Sequence, residues 1–195
     1  GADVLTGGNH LWDKKDSHEY LAGESRLIRP ANMPDGTVGR GYAVFPARDG
    51  TPVGVVSLLG RVFMREIDSP FAAADRAVTA LRENARVVFV DFHAETTAEK
   101  MALGWHLDGR VSAIVGTHTH VQTADARVLP GGTAYLTDVG MTGPHDGVIG
   151  VEKDAVIQGF PTGLPARFET ASGDLRLHAV VIDADDTSGK ARRIE

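Results

Sequence analysis

The pentapeptide Gly116-Thr117-His118-Thr119-His120, directly after the apolar run Val111-Ser112-Ala113-Ile114-Val115, constrains this chain more than any other stretch. A short apolar run ended by glycine reads as a buried parallel strand opening into a loop, which puts both imidazoles at the strand's carboxyl end. Two further stretches have the same form: Asp3-Val4-Leu5-Thr6 before Gly7-Gly8-Asn9-His10, and Val87-Val88-Phe89-Val90 before Asp91-Phe92-His93-Ala94-Glu95. Ligands of open α/β sheets bind at the carboxyl ends of the strands. Three strand ends delivering Asn9-His10, His93 and His118-x-His120 to one rim outline a metal site.

Composition narrows the chemistry. None of the 195 residues is cysteine, so disulfides, thiolate ligands and cysteine nucleophiles are excluded and a metal must be held by nitrogen and oxygen. A reducing cytoplasm is the simplest home. With 20 basic against 26 acidic residues the net charge is -6, which gives no electrostatic reason to bind long nucleic acid or an anionic membrane. No apolar run has transmembrane length, and no signal-peptide pattern is present. A small-molecule partner is expected; homo-oligomerisation is left open. A single domain over residues 1–195 is expected. The opening Gly1-Ala2-Asp3-Val4-Leu5, with no initiator Met, reads as a helix end running into a core strand, so further sequence is expected upstream.

Along the chain, Ser17 to Leu21 reads as a short helix that Pro30 and Pro34 cannot extend. Asp49-Gly50 between Tyr42–Phe45 and Val53–Leu59 signals a hairpin. Phe71, Ala74, Val78 and Leu81 have helical spacing, and Thr96 with Glu99 has capping-box spacing, which predicts a helix from Thr97 to Leu107. A second hairpin is expected around Pro130-Gly131-Gly132, an irregular loop over 138–147, and a third pairing of Arg167–Glu169 with Leu175–Ile182. The tail from Asp183 is expected to fray.

The wording of several blocks resembles a known family. Gly8-Asn9-His10 is similar to the central block of calcineurin-like metallophosphoesterases, and His93 with Gly116-Thr117-His118-Thr119-His120 resembles their later histidine blocks. Leu59-Gly60-Arg61-Val62-Phe63-Met64, the stretch Val90 to Lys100, and Thr142-Gly143-Pro144-His145-Asp146 resemble the bacterial YmdB-type family of 2′,3′-cyclic-nucleotide 2′-phosphodiesterases, from the first residue to about Ile182. The resemblance implies an α/β sandwich of two mixed β-sheets flanked by helices, here N-terminally truncated, with two metal ions, iron or manganese, at the strand ends. It implies Asn9, His93 and His118 on one metal, His120 on the other, and His10 as proton donor to the leaving group.

Two divalent cations about 3.5 to 4 Å apart activate a shared water for in-line attack on phosphorus, which suits hydrolysis of a cyclic nucleotide to a 3′-nucleotide. The family's Gly-Asp and Glu-Asn blocks do not occur in these residues, so the second metal keeps His120 alone. Asp3, Asp91, Glu95 and Asp138 are candidate substitutes, with Asp91 and Glu95 read rather as orienters of His93. His145 and Asp146 are candidates for substrate or supporting contact; His18, His106 and His178 read as structural. Rival readings are a catalytically impaired regulatory or interaction module on the same fold, and a phosphomonoesterase or nuclease of the same superfamily.

Overall fold

A computed structural model describes residues 1–165 and 167–195. In chain order its elements are β1 (Leu5–Thr6), α1 (Ser17–Gly23), β2 (Leu27–Ile28), β3 (Tyr42–Pro46), β4 (Pro52–Leu59), α2 (Pro70–Arg82), β5 (Val87–His93), α3 (Thr97–Leu107), β6 (Ala113–Thr117), β7 (Arg127–Val128), β8 (Ala134–Leu136), β9 (Gly143–Pro144), α4 (Lys153–Thr162), β10 (Leu175–Arg176), β11 (Ile182–Ala184) and β12 (Ala191–Ile194). The centre is a six-stranded mixed sheet in the order β3-β4-β5-β6-β8-β7. Strands β4, β5, β6 and β8 run parallel, and the two edge strands β3 and β7 are antiparallel.

Side chains alternate across a strand, and this decides what each face carries. Val88, Val90 and Phe92 of β5 join Val56, Leu58 and Ile114 in one apolar core with Ala74, Val78 and Leu81 of α2 and Leu103 and Leu107 of α3. The intervening positions of β5, Phe89, Asp91 and His93, face the other way. On that side Ser57 donates its hydroxyl hydrogen to the Gly7 carbonyl at 3.1 Å, which ties the short parallel pair β1-β2 to the sheet. Register then sets neighbours: Asp91 lies opposite Ser57 and Val115, and His93 opposite Leu59 and Thr117.

Local chemistry explains the helices. Pro70 starts α2 behind the N-cap Ser69, whose hydroxyl oxygen accepts from Ala72 N–H. Thr96 caps α3 by accepting from Glu99 N–H, as its spacing predicts. Glu99 does not complete the capping box; its carboxylate accepts instead from Arg61 N–H and Val62 N–H, clamping the loop after β4 to the start of α3.

Three expectations need correction. The tail does not fray: β11 and β12 form an antiparallel pair, with Ala191 packed on Ala113 and Ala134 and the Ser112 hydroxyl donating to the Gly189 carbonyl at 2.6 Å. Arg167–Glu169 does not pair with Leu175–Ile182. Instead β10 pairs with β9, inside the loop expected to be irregular, and Thr170 bridges Val151. Leu175 and Leu177 are 77% and 78% exposed. Helix α4 had no expected counterpart.

Gly116 is where the sheet is tightest under the site. A Cβ added there would lie 1.7 Å from the Thr137 carbonyl oxygen and 2.9 Å from Lys100 Cδ. Gly116→Ala should lower stability by at least about 1–3 kcal/mol, the usual cost of overpacking, because the obstacle is backbone; urea denaturation measures it, and an unchanged midpoint would contradict the packing described.

Candidate metal centre

The carboxyl ends of β5 and β6 and the loop after β1 bring three donors together. His93 Nε2 lies 2.8 Å from Asn9 Oδ1 and 3.1 Å from His118 Nδ1, with the two imidazole rings 4.8 Å apart at 61°. Gly8 admits the His93 ring, since a Cβ there would sit 2.4 Å from Nε2. One pair of tautomers leaves the inner nitrogens free for a cation. His93 Nδ1–H donates to Thr117 Oγ1 at 2.9 Å, and that hydroxyl donates to Asp91 Oδ1 at 2.9 Å. His118 Nε2–H donates to Glu95 Oε2 at 3.0 Å. In these tautomers His93 Nε2 and His118 Nδ1 turn lone pairs toward each other, and His93 Nε2 also faces the Asn9 carbonyl oxygen.

At these separations the inner nitrogens and the amide oxygen share a proton in the metal-free protein or surround a cation when one binds. Ligands at right angles and about 2.1 Å from an octahedral ion are about 3.0 Å apart, and the separations of 2.8 and 3.1 Å bracket that value. The residues present fit one divalent cation of the kind that takes nitrogen and oxygen. Among the described residues no three His, Asp or Glu side chains are grouped to hold a metal, and the trio depends on the Asn9 amide for its third donor.

Electrostatics keeps the rings neutral. Burial, then the neighbouring His118 and the Lys100 ammonium, push His93 down to about 4. Burial likewise lowers His118, against the pull of Glu95. Burial pushes the Asp91 carboxyl up, opposed by the Thr6 and Thr117 hydroxyls.

The other expected residues fall outside the trio. His10 projects to solvent, its side chain 78% exposed, with Nδ1 2.8 Å from Asp13 Oδ2. His120 Nδ1–H donates to the Ile149 carbonyl at 2.9 Å. Asp91 acts on His93 through Thr117, as an orienter at one remove, whereas Glu95 orients His118 rather than the expected His93. Asp138 is unavailable as a substitute ligand because Lys100 Nζ and Thr119 occupy it. His145 packs its ring 4.6 Å from His178, gives Nδ1–H to the Gly143 carbonyl, and has a buried Nε2 with no partner. Asp146 pairs with Lys153 at the surface.

Sequence reasoning missed Thr117 and Lys100. The signal for Lys100 was there: it shares the buried stripe of α3 with Leu103, Gly104 and Leu107, and a lysine on an apolar stripe needs a partner. An apolar hollow lined by Val156, Phe160, Leu164 and Phe168 shares no residue with the trio. No helix among the described residues is long and apolar enough to cross a membrane.

Fold and site together define an α/β protein of the metallophosphoesterase type. The YmdB-like protein family profile matches residues 1–195, and the chain belongs to that family. It is 51% identical over its whole length to 74% of a Bacillus subtilis protein, 2′,3′-cyclic-nucleotide 2′-phosphodiesterase. A hypothetical protein of Thermus thermophilus of known crystal structure superposes with a TM-score of 0.92 at 44% identity, covering all of this chain and 75% of that one. A crystal structure described as a novel phosphatase from Mycoplasma pneumoniae gives 0.91 at 34% identity, over all of this chain and 71% of that one.

The depressed His93 has a testable consequence. Between about pH 6.5, where an unfolded histidine titrates, and about 4, the unfolded chain takes up a proton that the folded one refuses. Stability of the metal-free protein should therefore fall as pH drops through this window, with no further loss from His93 below it. Urea midpoints of the wild type and His93→Gln should converge on acidification; parallel curves would contradict the assignment.

Proposed function

We propose that this chain is a metal-dependent phosphodiesterase that opens 2′,3′-cyclic nucleotides at the 2′-oxygen to leave 3′-nucleotides. The observation that carries the metal dependence is the trio Asn9 Oδ1, His93 Nε2 and His118 Nδ1, whose lone pairs share one small volume. The Bacillus subtilis relative, whose name states this reaction, supports the substrate class, and membership of its family makes the enzyme a phosphoric diester hydrolase that uses divalent metal.

In this reading Asn9, His93 and His118 hold one cation, iron or manganese. Held by these three residues, it would supply Lewis acidity toward a phosphoryl oxygen and a bound water. A second cation would take His120, whose Nε2 is the edge left after Nδ1 binds Ile149. His120 by itself does not make a site, and the described carboxylates nearest in role, Asp91, Glu95 and Asp138, are engaged elsewhere.

The chain's own groups do the positioning. Thr117 and Glu95 hold the two imidazoles in the tautomers that leave their inner nitrogens free. Asp13 anchors Nδ1 of His10, so Nε2 is the edge that hands a proton to the departing 2′-oxygen as water oxygen bonds to phosphorus and the P–O2′ bond breaks. A cytoplasmic setting suits a cysteine-free chain acting on a small nucleotide.

Incubation with 2′,3′-cyclic AMP and Mn²⁺ should yield 3′-AMP by chromatography. Asn9→Ala and His118→Ala should each weaken Mn²⁺ binding, whereas His10→Ala should lower kcat about 10²–10⁴-fold with Mn²⁺ binding unchanged. Release of 2′-AMP, or turnover of a simple phosphomonoester alone, would overturn the reading.

A further inference from the structure

The two histidines of the His-x-His loop are held in a backbone conformation that side chains rarely adopt. His118 has φ +100° and His120 φ +65°, with Thr119 between them. Such conformations are costly and persist only where the surroundings over-determine them. Here a buried charge does so. Thr119 N–H and the Thr119 hydroxyl both donate to Asp138 Oδ2, at 3.1 and 2.5 Å. Lys100 Nζ donates to that same oxygen at 2.8 Å and to Thr119 Oγ1 at 3.2 Å. Gly140 N–H donates to Asp138 Oδ1 at 2.7 Å, and the Thr123 hydroxyl oxygen accepts from Asp138 N–H at 2.9 Å.

Lys100 and Asp138 side chains are 1% and 0% exposed. A buried ion pair is a poor source of stability, because desolvation offsets much of the attraction and well-packed apolar residues of the same volume do as well or better. What the pair provides that an apolar pair does not is direction: several donors aimed at one carboxylate, with Thr119 the only loop residue between the two histidines. Burial works to raise Asp138, but Lys100, Thr119 and Gly140 outweigh it and hold the carboxylate below its ordinary value.

We propose that Lys100 and Asp138 form a buried lock on Thr119, and that Thr119 is a positioning residue that sets His118 and His120 in place for metal. This rests on the reading of His118 as a ligand. The lock accounts for the closeness of Gly116 to Lys100 Cδ, since the lysine stem must pass that point to reach Asp138. With Thr119 fixed, His118 swings inward to His93 and His120 reaches the Ile149 carbonyl. Neither Lys100 nor Asp138 needs to touch substrate or metal.

Thr119→Val keeps shape and removes only the hydroxyl; Thr119→Ala does so without adding a methyl, should valine hinder folding; Thr119→Ser restores the hydroxyl. Mn²⁺ titration by calorimetry, at a temperature where thermal unfolding shows every metal-free variant folded, should show affinity about 10- to 100-fold weaker in Val and Ala and within about threefold of wild type in Ser. In the metal-free protein the ring ¹⁵N signals of His118 and His120 should move in Val and Ala while those of His106 stay. Wild-type Mn²⁺ affinity and unmoved ring signals in Val and Ala, or a Ser variant no better than Val, would overturn the lock. If the wild type itself binds no Mn²⁺, the metal reading fails, and the ring signals still decide whether Thr119 positions the histidines.

Discussion

The parallel register of β5 against β6 is the constraint on which the site depends. It sets His93 opposite Thr117 on the face away from the helices, and Asp91 two residues earlier on the same face. From that pairing follows the chain of hydrogen bonds from Asp91 through Thr117 to His93 Nδ1, and with it the direction of the Nε2 lone pair. A slip of one residue would turn His93 into the apolar core and Phe92 to the rim. The core formed by Val88, Val90 and Phe92 with α2 and α3 thus specifies the chemistry indirectly, by making the slip prohibitive.

A second feature is the contrast between how the two histidine-bearing segments are held. His93 ends a strand and needs only register. His118 and His120 lie beyond their strand in left-handed backbone, where no ladder holds them, and the polar interior around Asp138 supplies the restraint. The cluster is therefore built from one rigid element and one strained loop brought to a common point by Asn9 from a third segment. Buried Asp91, Lys100 and Asp138 lie beneath this rim and tie the two segments to the interior.

Much of this is legible in the residues alone. The strand-then-polar-loop pattern located all three donors, because apolar runs and glycine punctuation report where a parallel strand ends. The Asp49-Gly50 hairpin and the helix from Thr97 to Leu107 follow from turn and capping chemistry. The tail was misread because Asp183 to Lys190 is polar and short-range signals for β11 and β12 are weak; their pairing is stabilised by packing of Ala191 on the sheet, which is non-local. Glu95 was given the wrong histidine for a similar reason, since sequence proximity to His93 says nothing about which ring its carboxylate reaches after the backbone turns into α3.

Residue types and spacing by themselves determined that Asn9, His93 and His118 would end up at strand carboxyl ends, since the alternation of apolar positions and the placement of glycine are local properties. Tertiary structure alone decided which nitrogen of each imidazole points inward, that Asp138 would serve Lys100 and Thr119 instead of a metal, and that His120 would bind Ile149. The physical reason is that a proton's position and a carboxylate's allegiance depend on partners 19 to 38 residues away in the chain, and only folding brings those partners within hydrogen-bonding reach.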